Sequence, residues 1–389
     1  MKTDDVQCCI PIEFIQPWDQ NEAIRKVKEL GLGNMVILEG TFHVGNSEAD
    51  RAFWKRQFPS LAAKIDAVPC FPGRPQRGMT ALLDLPLEFR LEQIRLCREL
   101  GLRILCCCQP SLANLSAGDL ARVTEAARGL LFTEFFMCEN LSILSVTLSL
   151  DRLKEIAATP VASHAERHLL AAEEGVAPPG FDDPAALDFQ AVHDWLVGRF
   201  RDFGRALRAR GIENLGAIEA SSQIRLAMEA GADLPMLELV PHEPMRGLAA
   251  ARGAAAAYGK SAWGVHFALG YYRNPVNRWM PERLRIAYDL FYAAGAKVFT
   301  ECNLPLQCTS LNSAFFTIKA SPPIHEGDLE CRGFDDPLCA RSREIVSEFY
   351  RFTRFHERPA LGPRVRLGYL LGNLDGWTGA ESERMWMAD

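Results

Sequence analysis

The sequence lacks the marks of several large protein classes. No glycine-rich phosphate loop of the G-x-G-x-x-G or G-x-x-x-x-G-K-[ST] kind follows any of its apolar runs, which weakens a dinucleotide-binding or P-loop reading. There is no G-x-S-x-G elbow and no C-x-x-C pair, so neither a serine-hydrolase nucleophile nor a redox or zinc hairpin is indicated. No Lys/Arg-rich stretch is interleaved with aromatics, and the net charge is −6, which argues against nucleic acid as a partner. Nowhere do eighteen apolar residues run uninterrupted, so no membrane span is expected. The start, Met1-Lys2-Thr3-Asp4-Asp5, carries acids where a secretory leader would be basic, and a cytoplasmic location is expected.

Twelve cysteines are present, and their placement decides how to read them. Cys8-Cys9 and Cys106-Cys107-Cys108 sit inside apolar runs, while Cys97, Cys138 and Cys302 fall in helix or strand patterns. Free, buried thiols in a reducing compartment fit better than a disulfide scaffold. The 389 residues are 48% hydrophobic and 24% charged, enough apolar material for one large α/β core.

What the chain has in abundance is a repeated punctuation: amphipathic helix, glycine, short apolar run, polar residue. It occurs from Gly31 to Glu39, Gly101 to Cys108, Gly129 to Glu139, Gly211 to Glu219, Gly231 to Glu238, Gly259 to His266 and Gly295 to Glu301. Glycine just past a helix supplies the left-handed cap that other residues resist. An apolar run of four to six residues after it, without polar alternation, reads as a strand buried on both faces. With the N-terminal run Val6 to Phe14 the count reaches eight, and the expected fold is a (β/α)8 TIM barrel; a doubly wound open sheet is the alternative. Helix starts are signalled by Ser116 at capping distance from Asp119, by Asp183-Pro184 and by Pro281-Glu282.

Two stretches interrupt the period. Residues 41–83, with Pro59, Pro69, Pro72 and Pro75, read as an irregular loop after the second strand, and residues 145–183 as an insertion after the fourth. Both follow strand C-termini, the face on which barrels build their sites. Residues 305–335 read as loop and 338–357 as a closing helix. The expected division is a barrel over 1–360 and a short C-terminal extension over 361–389, where Val365 to Trp377 looks like a new strand and turn.

Five strands finish on an ionisable residue: Glu139, Glu219, Glu238, His266 and Glu301. Carboxylates crowded on one rim are costly unless chemistry or a ligand uses them. Glycoside hydrolysis requires two, one protonated to donate to the leaving oxygen and one ionised as nucleophile or base. Aromatics that could stack on a sugar ring lie near the same ends: Trp18, Trp263, Tyr271, Tyr272 and Trp279. His43 either lines the pocket or caps the long loop. His164, His168 and His193 read as surface groups on helical patterns.

The stretches Glu219 to Ser222, Gly231 to Pro241, Ala251 to Ala255, Trp263 to His266 and Gly295 to Glu301 resemble the barrel of bacterial clan A retaining glycoside hydrolases of the β-mannosidase and β-galactosidase type. The likeness spans roughly residues 200–305. It implies Glu139 as acid/base and Glu301 as nucleophile, and in such proteins a flavodoxin-like domain often follows the barrel, whose opening strand Val365 to Trp377 resembles. Two departures stand out: Cys138, not Asn, precedes Glu139, and Glu301 falls on the eighth strand where the clan uses the seventh. Glu134 competes as acid/base, and Glu219 and Glu238 compete as nucleophile.

On this reading the partner is a small carbohydrate and no cofactor or metal is needed. Substrate contacts are expected from Glu219, Glu238, His266, Asn140, Trp18, Tyr271, Trp279 and His43, and self-association stays open. The rival is a metal site. Glu219, Glu238, His266 and Glu301 on successive strands resemble the ligand set of xylose-isomerase-like barrels, and oxygen-rich ligands of that kind suit Mn²⁺ or Mg²⁺. That would make the protein a sugar isomerase, epimerase or metal-dependent hydrolase. A catalytically silent carbohydrate-binding barrel is the third possibility.

Overall fold

The strands and helices alternate along the chain with one interruption. In order they are β1 (Gln7–Pro11), α1 (Pro17–Glu29), β2 (Met35–Leu38), β3 (Thr41–His43), a 3₁₀ turn (Pro59–Leu61), α2 (Ala62–Ala67) and β4 (Leu82–Asp84). Then come α3 (Leu87–Leu100), β5 (Arg103–Cys107), α4 (Ala117–Ala126), β6 (Leu131–Cys138), α5 (Phe189–Ala209) and β7 (Leu215–Glu219). The last are α6 (Ile224–Glu229), β8 (Leu234–Leu239), α7 (Pro244–Ala257), β9 (Gly264–Phe267), α8 (Met280–Ala294), β10 (Val298–Glu301) and α9 (Pro337–Phe355). This computed structural model describes residues 6–12, 17–38, 41–43, 51–52, 55–56, 58–67, 82–107, 115–138, 189–219, 224–239, 244–267, 280–301, 337–356, 358 and 362–364.

Eight of the strands pair in parallel and close in the order β1–β10–β9–β8–β7–β6–β5–β2, which is a (β/α)8 barrel. They are the eight expected from the glycine punctuation. Gly31, Gly101, Gly129, Gly211, Gly231, Gly259 and Gly295, each placed where a helix ends, all take positive φ. Ser116 caps α4 as the sequence signals, its Oγ accepting from the Asp119 N–H at 3.1 Å.

Within 41–83 the described residues hold regular structure where an irregular loop was expected. β3 and β4 form an antiparallel pair in register Thr41–Asp84 to His43–Leu82, with the 3₁₀ turn and α2 between them. Leu61, Ile65 and Leu85 make a small apolar cluster of their own, with Phe58 and Phe89 packed on it. Proline density hid this unit, because its strands are only three residues long. The expected insertion at 145–183 and nearly all of the expected extension, 361–389, lie outside the described residues.

Packing shows which way each strand faces. Phe299 of β10 meets Tyr288 of α8 and Phe349 of α9 at centroid distances of 5.7 and 4.9 Å. Phe267 of β9 meets Tyr288 and Phe291 of α8 at 4.7 and 5.9 Å. These rings fill the layer between barrel and helices, and burying each contributes about 1.5–3 kcal/mol. Their neighbours along the strand therefore face inward. Gly264 confirms the inner layer: a Cβ there would lie 2.6 Å from the Val298 carbonyl oxygen and 3.2 Å from Met236 Cε. Only glycine fits against those inward neighbours.

The N-terminal ends of the strands are tied by side chains, as expected of the stability face of a barrel. Asn34 Oδ1 accepts from the Cys8 N–H at 3.0 Å, and Asp233 Oδ2 accepts from the Leu215 N–H at 2.9 Å. Cys8, Cys9, Cys97, Cys106 and Cys339 are buried thiols outside any disulfide. Burial pushes Cys8 and Cys97 up to about 12, so these thiols are unreactive core groups.

Candidate functional site

The inner row of β8, β9 and β10 carries a candidate site. Glu238 is in register with His266, and His266 with Thr300. In parallel strands register partners share a face. Leu237 faces α7, where a Cβ on Gly247 would lie 2.8 Å from its Cδ1, so Glu238 next to it faces inward. Phe267 and Phe299 face α8 and α9, so their neighbours His266 and Thr300 face inward. All three polar residues are buried, with relative exposures of 1%, 8% and 0% for Glu238, His266 and Thr300.

His266 Nδ1 lies 2.6 Å from Thr300 Oγ1. Burial holds the imidazole down to about 4, so the ring is neutral at physiological pH. A neutral imidazole beside a carboxylate, at the C-terminal ends of barrel strands, is equipped to bind and orient a polar ligand. Thr300 escaped the sequence reading because a threonine inside an apolar strand looks like a β-branched filler. Its signal was positional: it immediately precedes the strand-end Glu301.

Glu219 does not join this row. It ends β7 and is buried, but its register partner is Leu237, the residue that faces α7. Leu215, two pleats earlier on the same face, lies against Gly204 of α5. Glu301 holds the equivalent position on β10, one past Thr300 and in register with Phe267, so register places neither of these strand-end glutamates on the inner row with Glu238 and His266. Among the described residues no three His, Cys, Asp or Glu side chains gather closely enough to hold a metal ion.

Glu134, the competing acid/base, sits at the other end of the barrel. Its Oε2 accepts from the backbone N–H of Glu213, and from that of Asn214 at 3.2 Å, just before β7 begins. Trp263 is likewise not at the mouth: it precedes β9, is buried and packs 6.3 Å from Phe291, with its carbonyl accepting from Lys297 N–H. His193 is a buried group of α5, not a surface one. Its Nδ1 is 2.9 Å from Asp194 Oδ1 and its Nε2 is 3.2 Å from Glu229 Oε2 on α6. Helical periodicity misled there, since that face of α5 packs on α6.

Glu139, Asn140, Tyr271, Trp279, His164 and His168 lie outside the described residues. Trp18 falls in the first turn of α1 and His43 ends β3. No helix among the described residues is long and apolar enough to cross a membrane.

No family model matches the chain, and no curated protein matches it. Among solved structures it is similar to the endo-1,4-β-D-mannanase of Thermotoga petrophila RKU-1, at 10% identity over 89% of this chain and 99% of that one, with a TM-score of 0.42. It is similar to the β-amylase catalytic domain of Paenibacillus polymyxa, at 10% identity over 82% and 100%, TM-score 0.41. A third is the D-psicose 3-epimerase of Clostridium cellulolyticum H10, at 12% identity over 92% and 100%, TM-score 0.37. Likenesses this distant carry no argument about activity; the barrel rests on its own strand order.

Proposed function

We propose that the chain is a retaining glycoside hydrolase acting on a small oligosaccharide or glycoside. The observation that carries the reading is the buried, register-paired Glu238 and His266 on the inner row, at the catalytic end of the barrel. They offer a carboxyl group and a neutral ring nitrogen to sugar hydroxyls, between β7 and β10, which end in Glu219 and Glu301.

The chemistry is assigned, on the resemblance to clan A enzymes, to Glu139, the residue after β6, and to Glu301, the last of β10. Glu139, protonated, donates its proton to the leaving glycosidic oxygen. Glu301, ionised, attacks the anomeric carbon as the C–O bond breaks, giving a glycosyl ester. Glu139, now a carboxylate, takes a proton from water, which attacks the same carbon and releases Glu301. Such a pair works with its carboxyl groups about 5–5.5 Å apart; about 6.5–9.5 Å would leave room for water and give inversion.

A second reading is a divalent-metal-dependent sugar isomerase or epimerase. The neutral His266, with one ring nitrogen held by Thr300, is the observation that favours it, since metal-bound histidines are commonly held this way. The described residues supply only Glu238 and His266 on one row, so no step is drawn through a metal.

The experiment is a panel of aryl glycosides and ketoses assayed with and without EDTA, on the wild type and on Glu139→Gln and Glu301→Gln. Glycoside hydrolysis that survives EDTA and falls by orders of magnitude in both variants supports the hydrolase. Ketose conversion abolished by EDTA supports the isomerase and removes the hydrolase reading.

A further inference from the structure

We propose that Thr300 is a positioning residue that donates its hydroxyl proton to Nδ1 of His266 and thereby holds the ring as the Nε2–H tautomer, a fixed donor for a substrate oxygen beside Glu238. Only the last clause, what the donor meets, rests on the hydrolase reading; the tautomer does not.

The geometry carries the direction of the bond. The Nδ1···Oγ1 separation is 2.6 Å. A buried hydroxyl whose hydrogen finds no acceptor costs free energy. His266 Nδ1 is the hydrogen-bond partner of the buried Thr300 Oγ1 among the described residues, so the hydroxyl hydrogen is donated to the ring nitrogen. A neutral imidazole has one protonated nitrogen, so accepting at Nδ1 places the proton on Nε2. Burial supplies the neutral ring that this bond requires, and Thr300 is itself fully buried, so water does not compete for the hydroxyl. The strand register fixes the pairing as well, because Thr300 stands directly opposite His266.

The functional consequence separates the two readings above. An Nε2–H next to the Glu238 carboxylate is one donor and one acceptor on neighbouring strands, the complement of a sugar hydroxyl or a vicinal pair of hydroxyls. A metal ligand at Nε2 would need the opposite tautomer, with its lone pair outward and Thr300 accepting from Nδ1–H.

The test is long-range ¹H–¹⁵N correlation on the full chain with ¹⁵N-labelled histidine. Eight histidines are present, and the His266 signals are assigned by their loss in His266→Gln. Near neutral pH, Nδ1 is expected at the shift of an unprotonated nitrogen and Nε2 at that of a protonated one. Thr300→Ser should keep this pattern and Thr300→Val should move both shifts toward the average of mixed tautomers. A protonated Nδ1 in the wild type overturns the proposal, and so does an unchanged spectrum in Thr300→Val. The wild-type spectrum decides the tautomer even if Thr300→Val does not fold. Because it reads no turnover, failure of the tautomer and failure of the hydrolase reading appear in different experiments.

Discussion

Glu238 and His266 stand opposite each other in register on adjacent parallel strands, both buried and both on the inner row of the barrel. A carboxylate and an imidazole removed from water cost stability unless a ligand or fixed dipoles use them. That cost is the physical reason to place the site here and not at the hollow between α8 and α9, whose polar groups Arg285 and Glu348 pair with each other at 2.8 Å.

The first expectation concerns acid. Burial lowers His266 from its ordinary 6.5 to about 4. Between these values the unfolded chain binds a proton that the folded chain does not, so stability is fully present above about 6.5 and is lost as pH falls toward about 4. The loss attributable to this group is up to about 3 kcal/mol. Urea melts at stepped pH should show it in the wild type, and the slope in this window should flatten in His266→Gln.

Glu134 should behave as a structural group. Its carboxylate binds two backbone N–H groups ahead of β7, far from the mouth. Glu134→Ala should cost about 1–2 kcal/mol in a urea melt, with turnover per folded molecule unchanged. A collapse of turnover in a well-folded Glu134→Ala would return it to the catalytic candidates.

Gly264→Ala should be more damaging than its size suggests. The added methyl meets the Val298 carbonyl at 2.6 Å, a backbone atom that cannot rotate away. Destabilisation of about 1–3 kcal/mol is expected from overpacking, together with reduced activity, since β9 carries His266 two residues on. A variant as stable as wild type would show that the inner layer is not packed as described.

Much of this was legible in the sequence, and the reason is local. Gly31, Gly101 and the later glycines mark helix ends because a left-handed cap is a backbone requirement that one residue type meets cheaply. The apolar runs after them are strands because a parallel sheet is buried on both faces. The site was legible only to within one pleat. Glu238 lies on the inner row, whereas Glu219 and Glu301, which also follow apolar runs, each fall one position past it, and register is a property of neighbouring strands that no single segment encodes. Thr300 and His193 were misread for a related reason: their partners, His266 and Glu229, lie 34 and 36 residues away in sequence. The three-residue strands of β3 and β4 were too short for alternation to register at all.

The central claim is a covalent glycosyl intermediate on Glu301, and trapping it is the most direct test. The glycoside hydrolysed fastest in the panel would be supplied as its 2-deoxy-2-fluoro derivative with a good leaving group, and the labelled protein digested and sequenced by mass spectrometry. One sugar per chain is expected, on the peptide carrying Glu301, with the label lost on adding a glycosyl acceptor. A label on Glu238 or Glu219, or a panel in which no glycoside is hydrolysed at all, would contradict the account.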